Sequence, residues 1–216
     1  MSFHTEVEAV CVRKLKEAGF RKRKHVMTLP LSEGWQGWVG LNSGGWTPQD
    51  GVMYPIIGVI CDEIQRIYYD VQPELPGRNF ATPTITIPLG YAADVPKLRQ
   101  WFFTNDETVE DQAADLVQAV IDIGIPYMRK HASLDAIRAT LSGDNMIPNP
   151  RVARQKLAIV IFMQDGPQAA RAQVEADLAK YSTEDNAASE DDRKFAKNFF
   201  DYIDRRTEGS ASQLNS

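Results

Sequence analysis

The sequence predicts an α+β protein: an antiparallel sheet from the N-terminal half, packed with a largely helical C-terminal half. Three observations carry this. Between Val26 and Val59, runs of β-branched, aromatic and large apolar residues are separated by glycine-rich turns. From Thr104 onward, apolar residues recur at three- and four-residue steps. Strands and helices are therefore segregated along the chain, as in α+β folds, rather than alternating as in a parallel sheet. The 216 residues can bury a core without a metal or disulfide. A composition of 43% hydrophobic and 25% charged residues excludes collagen-like, disordered and membrane-spanning chains. We expect one α+β domain over 1–207 and a flexible polar tail over 208–216.

Thr5–Ala18 reads as the first helix. Val7, Val10, Cys11, Leu15 and Ala18 form one apolar stripe, Thr5 is its expected cap and Gly19 its stop. Lys14, Lys16 and Arg21–Lys24 crowd its C-terminal end, where cations are favoured. Val26–Leu31, Trp35–Leu41 and Met53–Val59 are strands. Pro55 puts the last at an edge or delays its start. Asp62–Val71 switches to helical spacing through Ile64, Ile67, Tyr68 and Val71. Pro73, Pro76 and Gly77 make a loop. Thr84–Leu89 alternates threonine and isoleucine, a strand with one wet and one dry face. Leu98–Phe103 is a further strand.

Thr104-Asn-Asp-Glu107 matches a capping box opening a helix to about Ile123. Gly124 is expected to break it, and Pro126 to start another turn. Ser133 caps a short helix to Leu141, closed by Gly143. Arg151–Met163 and Pro167–Tyr181 make a helical pair, with Asp165 as the cap of the second. Ser182–Asp192 is an acidic loop or frayed start. Arg193–Arg206 is the last helix, with Phe195, Phe199, Tyr202 and Ile203 on one stripe.

The formal charge of −5 argues against a basic nucleic-acid binder. Met1–Glu8 lacks the basic and apolar regions of a signal peptide, and no apolar run is long enough to span a membrane. We expect a cytoplasmic protein in which Cys11 and Cys61 are reduced and buried. His4, His25 and His131 are scattered, two cysteines make no zinc site, and serine-nucleophile and phosphate-loop motifs are lacking. The expectation is a chain that is no enzyme and uses no metal or cofactor. The alternatives are a hydrolase-like enzyme built from distant residues and a nucleic-acid module using Arg21–Lys24.

Two acidic clusters are more informative. Asp106, Glu107, Glu110, Asp111 and Asp115 have no basic residue between them, and Glu184, Asp185, Glu190, Asp191 and Asp192 form a second run. Trp35 and Trp38, three apart, face opposite sides of a regular strand, so one is exposed unless a bulge re-aims it; the two readings are a partner surface and the packed core of a hairpin. Acidic patches with an exposed aromatic suit docking of a basic protein, because complementary fields speed encounter. The expected interface is Asp106, Glu107, Glu110 and Asp111, with Glu184, Asp185, Trp35 and Trp38 behind them.

Leu15-Lys-Glu-Ala-Gly-Phe20-Arg-Lys at the end of the first helix, the glycine-rich tryptophan strands, and Ile125-Pro-Tyr-Met128 followed by Ser133-Leu-Asp-Ala-Ile137 together carry a resemblance. Over roughly Val7 to Ala179, the chain resembles a bacterial domain-of-unknown-function family. Its likenesses include immunity proteins of contact-dependent growth inhibition systems. The resemblance implies a small cytosolic protein that binds one cognate toxin domain, such as a nuclease, and occludes its active site. It transfers no site residue.

Overall fold

The computed structural model describes residues 2–75, 81–104, 108–143, 149–181 and 186–213, with side chains to Glu208. The chain divides into two compact units that interleave in sequence. One comprises Met1–Asp62 and Asn79–Ala136, the other Glu63–Arg78 and Ile137–Ser216. The antiparallel sheet belongs to the N-terminal half, and the C-terminal half is mostly helical.

In the first unit, α1 (Phe3–Glu17) buries Phe3, Val7, Cys11, Val12 and Leu15. Its cap is Ser2, not Thr5: the Ser2 hydroxyl accepts from the Thr5 N–H at 3.3 Å, so the helix starts a turn earlier than the apolar stripe suggests. Gly19, at φ +94°, ends it. A five-stranded antiparallel sheet follows, in the order β1 (Arg21–Arg23), β2 (Val26–Ser32), β3 (Trp35–Gly40), β6 (Ile56–Cys61), β7 (Ile85–Pro88). Met27, Val39 and Ile57 are directly paired and fully buried on one face.

Met53–Val59 is not one strand. Pro55, which has no N–H for a ladder, splits it into β5 (Asp50–Met53) and β6. β5 joins β4 (Ser43–Gly44) and β8 (Trp101–Thr104) in a separate three-stranded sheet. β7 also departs from the wet-and-dry pattern expected of its stretch: Thr84 is buried, and its hydroxyl accepts the Cys61 N–H at 2.9 Å.

Thr104 is not the helix cap, because it ends β8; Glu107, the other half of the expected capping box, lies outside the described residues. The cap of α3 (Val109–Ala119) is Thr108, whose hydroxyl accepts the Asp111 N–H at 3.3 Å. Gly124 does not break the helix either. A wider turn over Val120–Gly124 carries it into α4 (Ile125–Lys130). Pro126 would otherwise collide with the carbonyl four residues back, at Asp122.

In the second unit, α2 (Asp62–Val71) joins α5 (Leu134–Ser142), α6 (Pro150–Asp165), α7 (Pro167–Tyr181) and α8 (Ala187–Gln213). Asn149 and Asn186 cap α6 and α8. Asp165 does not cap α7; it ends α6 and is held by both terminal nitrogens of Arg138, at 2.7 and 3.1 Å. Phe195, Phe199, Tyr202 and Ile203 are buried as one stripe of α8. This helix runs on through Glu208 to Gln213, over most of the stretch read as a tail.

Candidate binding groove

An open groove of about 700 Å³ lies in the first unit. One wall is the single helical turn Leu89–Ala92 and the irregular stretch that follows it to Lys97. This wall is folded back tightly, the Lys97 N–H donating to the Gly90 carbonyl at 3.1 Å. A Cβ on residue 90 would stand 2.2 Å from the Lys97 carbonyl oxygen, so the approach requires glycine. The other wall is the wide turn and α4, contributing Asp122, Ile123, Pro126, Tyr127, Lys130 and His131. Wide helical turns of this kind are frequent at functional sites.

Tyr127 and His131 are four apart on α4 and stack, with ring centroids 4.0 Å apart. The His131 Nδ1–H donates to the Tyr127 carbonyl at 2.8 Å. This fixes the tautomer and leaves Nε2 as an acceptor. Burial holds the imidazole below its ordinary pKa, with the nearby Lys130 charge acting in the same direction. His131 is therefore neutral at pH 7. Burial pushes the Tyr127 phenol up to about 12. Asp94, Lys97 and Lys130 stand exposed on the rim. Chemically, the groove offers a neutral hydrogen-bond acceptor, an aromatic stack and charges of both signs.

Next to it, the stretch 95–102 carries three large apolar side chains in water: Val95, 74% exposed, on the rim, then Leu98 (56%) and Phe102 (69%). Phe102 points away from the core because its neighbours Trp101 and Phe103 point in. Trp101 is anchored by an indole N–H donated to Asp115 at 2.7 Å and by Arg99 over its ring at 4.6 Å.

Of the residues expected at an interface, Glu110, Asp111, Trp35 and Trp38 do not line this groove. Glu110 is engaged inside the fold, accepting from Arg13 and, at 3.2 Å, from Lys14. These bonds hold its carboxyl below the usual range. Asp111 accepts from the Thr108 hydroxyl at the head of α3. In the second acidic run, Asp191 is paired with Arg151 at 2.6 Å and Asp192 with Arg154 at 3.3 Å. Asp106, Glu107, Glu184 and Asp185 lie outside the described residues. Trp35 and Trp38 do take opposite faces of β3, but both are half-buried. The Trp38 indole donates to the Ala81 carbonyl at 2.8 Å. Arg21–Arg23 form the exposed edge strand β1, where Lys22 meets Glu8 at 3.5 Å.

The sequence reading missed Tyr127, His131, Val95, Leu98 and Phe102. The Tyr127/His131 spacing was its one available signal. Among the described residues, no group of three or more His, Cys, Asp or Glu is placed to hold a metal ion, and no helix is long and apolar enough to cross a membrane. Cys11 and Cys61 are buried and are not joined in a disulfide. The chain matches no protein-family model, no curated protein and no solved structure.

Proposed function

We propose that this chain is a binding protein that docks a partner protein at the groove and the apolar stretch beside it. The supporting observation is the exposure of Val95, Leu98 and Phe102 within eight residues of chain, along an open groove. Large apolar side chains clustered in water mark interaction surfaces, and aromatic anchors beside a concavity carry most of the energy of such interfaces. The resemblance noted in the sequence extends the proposal: the partner is a cognate toxin domain, neutralised by one-to-one occlusion. Asp106, Glu107, Glu184 and Asp185 would add charge complementary to a basic toxin.

A second reading, an enzyme of hydrolase type, draws on one observation: the neutral His131 with its Nε2 available in a groove. No serine, threonine or cysteine is among the described residues that line the groove with His131. The experiment is tagged capture from the cells that encode the chain, followed by reconstitution with the purified partner. Docking predicts a one-to-one complex with a toxin-domain protein, inhibition of that toxin, and loss of both in Leu98→Asp. A complex unchanged by Leu98→Asp and Val95→Asp rules out this surface. Full inhibition-free coexistence of the two proteins rules out the immunity function.

A further inference from the structure

The helical unit contains a second concavity, of about 350 Å³, beside α2, α6 and α8. Its lining is apolar on one side, Ile67, Phe162, Met163 and Pro167, and includes the carboxylate of Glu63, which is ion-paired with Arg66. On the other side stands Tyr202, only 6% exposed. The Tyr202 hydroxyl oxygen receives two hydrogen bonds, from Arg206 Nε at 3.2 Å and from Arg66 Nη2 at 3.4 Å. Guanidinium groups only donate, so both bonds use lone pairs of the phenol oxygen. The hydroxyl proton is left over. Among the described residues it has no acceptor, and a buried donor without one is costly.

The neighbouring carboxylates do not serve it. Glu63 is committed to Arg66, which grips it through Nε at 2.8 Å and through Nη2; Asp70 takes Arg66 Nη1 at 3.1 Å. The Arg66 bonds hold Glu63 below the usual carboxylate range, so it stays an anion facing its own arginine. The concavity therefore combines an apolar floor, one buried O–H donor without an acceptor, and a guanidinium flanking that donor. The missing partner is an acceptor-only group at the end of an apolar body.

We propose that this site binds a small amphiphilic carboxylic acid, its carboxylate accepting the Tyr202 O–H beside Arg206 and its hydrocarbon lying on Ile67, Phe162, Met163 and Pro167. A carboxylate is favoured over an ammonium because the hydrogen-bonding capacity left on the Tyr202 phenol is its O–H donor, and an ammonium has no lone pair to accept it. It is favoured over an alcohol because hydrogen bonds to an ionised acceptor are about twice as strong. The volume is at the low end of ligand pockets, about 300–1,000 Å³, which suits a medium chain rather than a long lipid. The inference is independent of the docking reading.

The test is calorimetric titration of the full chain with octanoate and, separately, 1-octanol, alongside two variants. Tyr202→Phe removes only the donor. Thr207→Trp fills the groove from an exposed position and leaves the core untouched. We expect saturable one-to-one octanoate binding, about tenfold weaker in Tyr202→Phe, abolished in Thr207→Trp, and weaker for 1-octanol in the wild type. No saturable octanoate binding overturns the proposal. So does binding that survives Thr207→Trp, which places it elsewhere. Equal affinity in Tyr202→Phe, or equal affinity for the alcohol, overturns the carboxylate assignment.

Discussion

Lys156 is the most instructive residue to perturb. It sits in the middle of α6, 4% exposed, with its Nζ 5.6 Å from the centre of the Tyr68 ring. Burial pulls its pKa from the ordinary 10.5 to about 8. Between those two values the unfolded chain binds a proton that the folded chain has released. Stability therefore rises with pH across that window. Below pH 8 the fold bears the full cost of a buried ammonium, and above 10.5 it bears none. At about 1.4 kcal/mol per pH unit, the interval amounts to about 3 kcal/mol. Replacing Lys156 by Met keeps the length and removes the charge. It also removes the attraction to the Tyr68 ring, worth about 0.5–2 kcal/mol. The expected net gain at pH 7 is about 1–2 kcal/mol, or several degrees in Tm at about 2–4 °C per kcal/mol.

The assay is urea denaturation of wild type and Lys156→Met from pH 7 to 10.5, read by far-ultraviolet circular dichroism. Circular dichroism reports the helices around Lys156 directly, whereas Trp35, Trp38, Trp46 and Trp101 all belong to the other unit. The difference between the two proteins cancels every other titration. It should shrink steadily above pH 8 and reverse sign near the top of the range, where only the lost packing of the lysine remains. A difference that stays flat with pH refutes the reasoning and means the ammonium is fully compensated in place.

Three further outcomes follow from the geometry. Thr108→Ala should cost about 1 kcal/mol in denaturant unfolding, as the loss of a helix cap does, whereas an equal cost for Thr104→Ala would restore the capping box the sequence suggested. Gly90→Ala should cost about 1–3 kcal/mol, because the new methyl meets a backbone oxygen that cannot swing aside, and it should weaken partner binding by deforming the groove wall; unchanged melting would show that the fold-back is not tight. Neither thiol should react with Ellman's reagent in the native protein, since Cys61 is buried and burial pushes Cys11 up to about 12; rapid native labelling of one sulfur would contradict that burial.

The fold was legible where one periodicity dominated. Asp62–Val71 matches its helix to the residue, because Ile64, Ile67 and Tyr68 pack on one side and the exposed Glu63 and Arg66 pair on the other. Legibility failed where a local signal competed with a longer-range one. Thr104 has a good capping sequence, yet Phe103 is wanted in the core beside Gly51, so the strand keeps Thr104 and the cap passes to Thr108. The interleaving of the units was equally hidden, since nothing in residues 63–78 marks them as partners of helices a hundred residues on. The site was least legible. An acidic run counted along the sequence says nothing of cations arriving from elsewhere, and Arg13 and Lys14 reach Glu110 across 97 and 96 positions.

That pairing changes what must drive docking. Charges already satisfied within the fold contribute little at a distance, so under the docking proposal the affinity comes from desolvating Val95, Leu98 and Phe102, while the protein's net negative charge acts on the encounter. The two contributions separate in kinetics. Salt should slow association with a basic partner and leave dissociation nearly unchanged, because long-range fields act before contact. Leu98→Asp should do the reverse, raising the dissociation rate at least tenfold with little change in association, because short-range packing holds the complex after contact. Surface plasmon resonance at two ionic strengths with both proteins measures the association and dissociation rates that separate these effects. If salt instead accelerates dissociation as strongly as Leu98→Asp does, the bound state is held by ion pairs, and the interface lies on the acidic faces rather than along the groove.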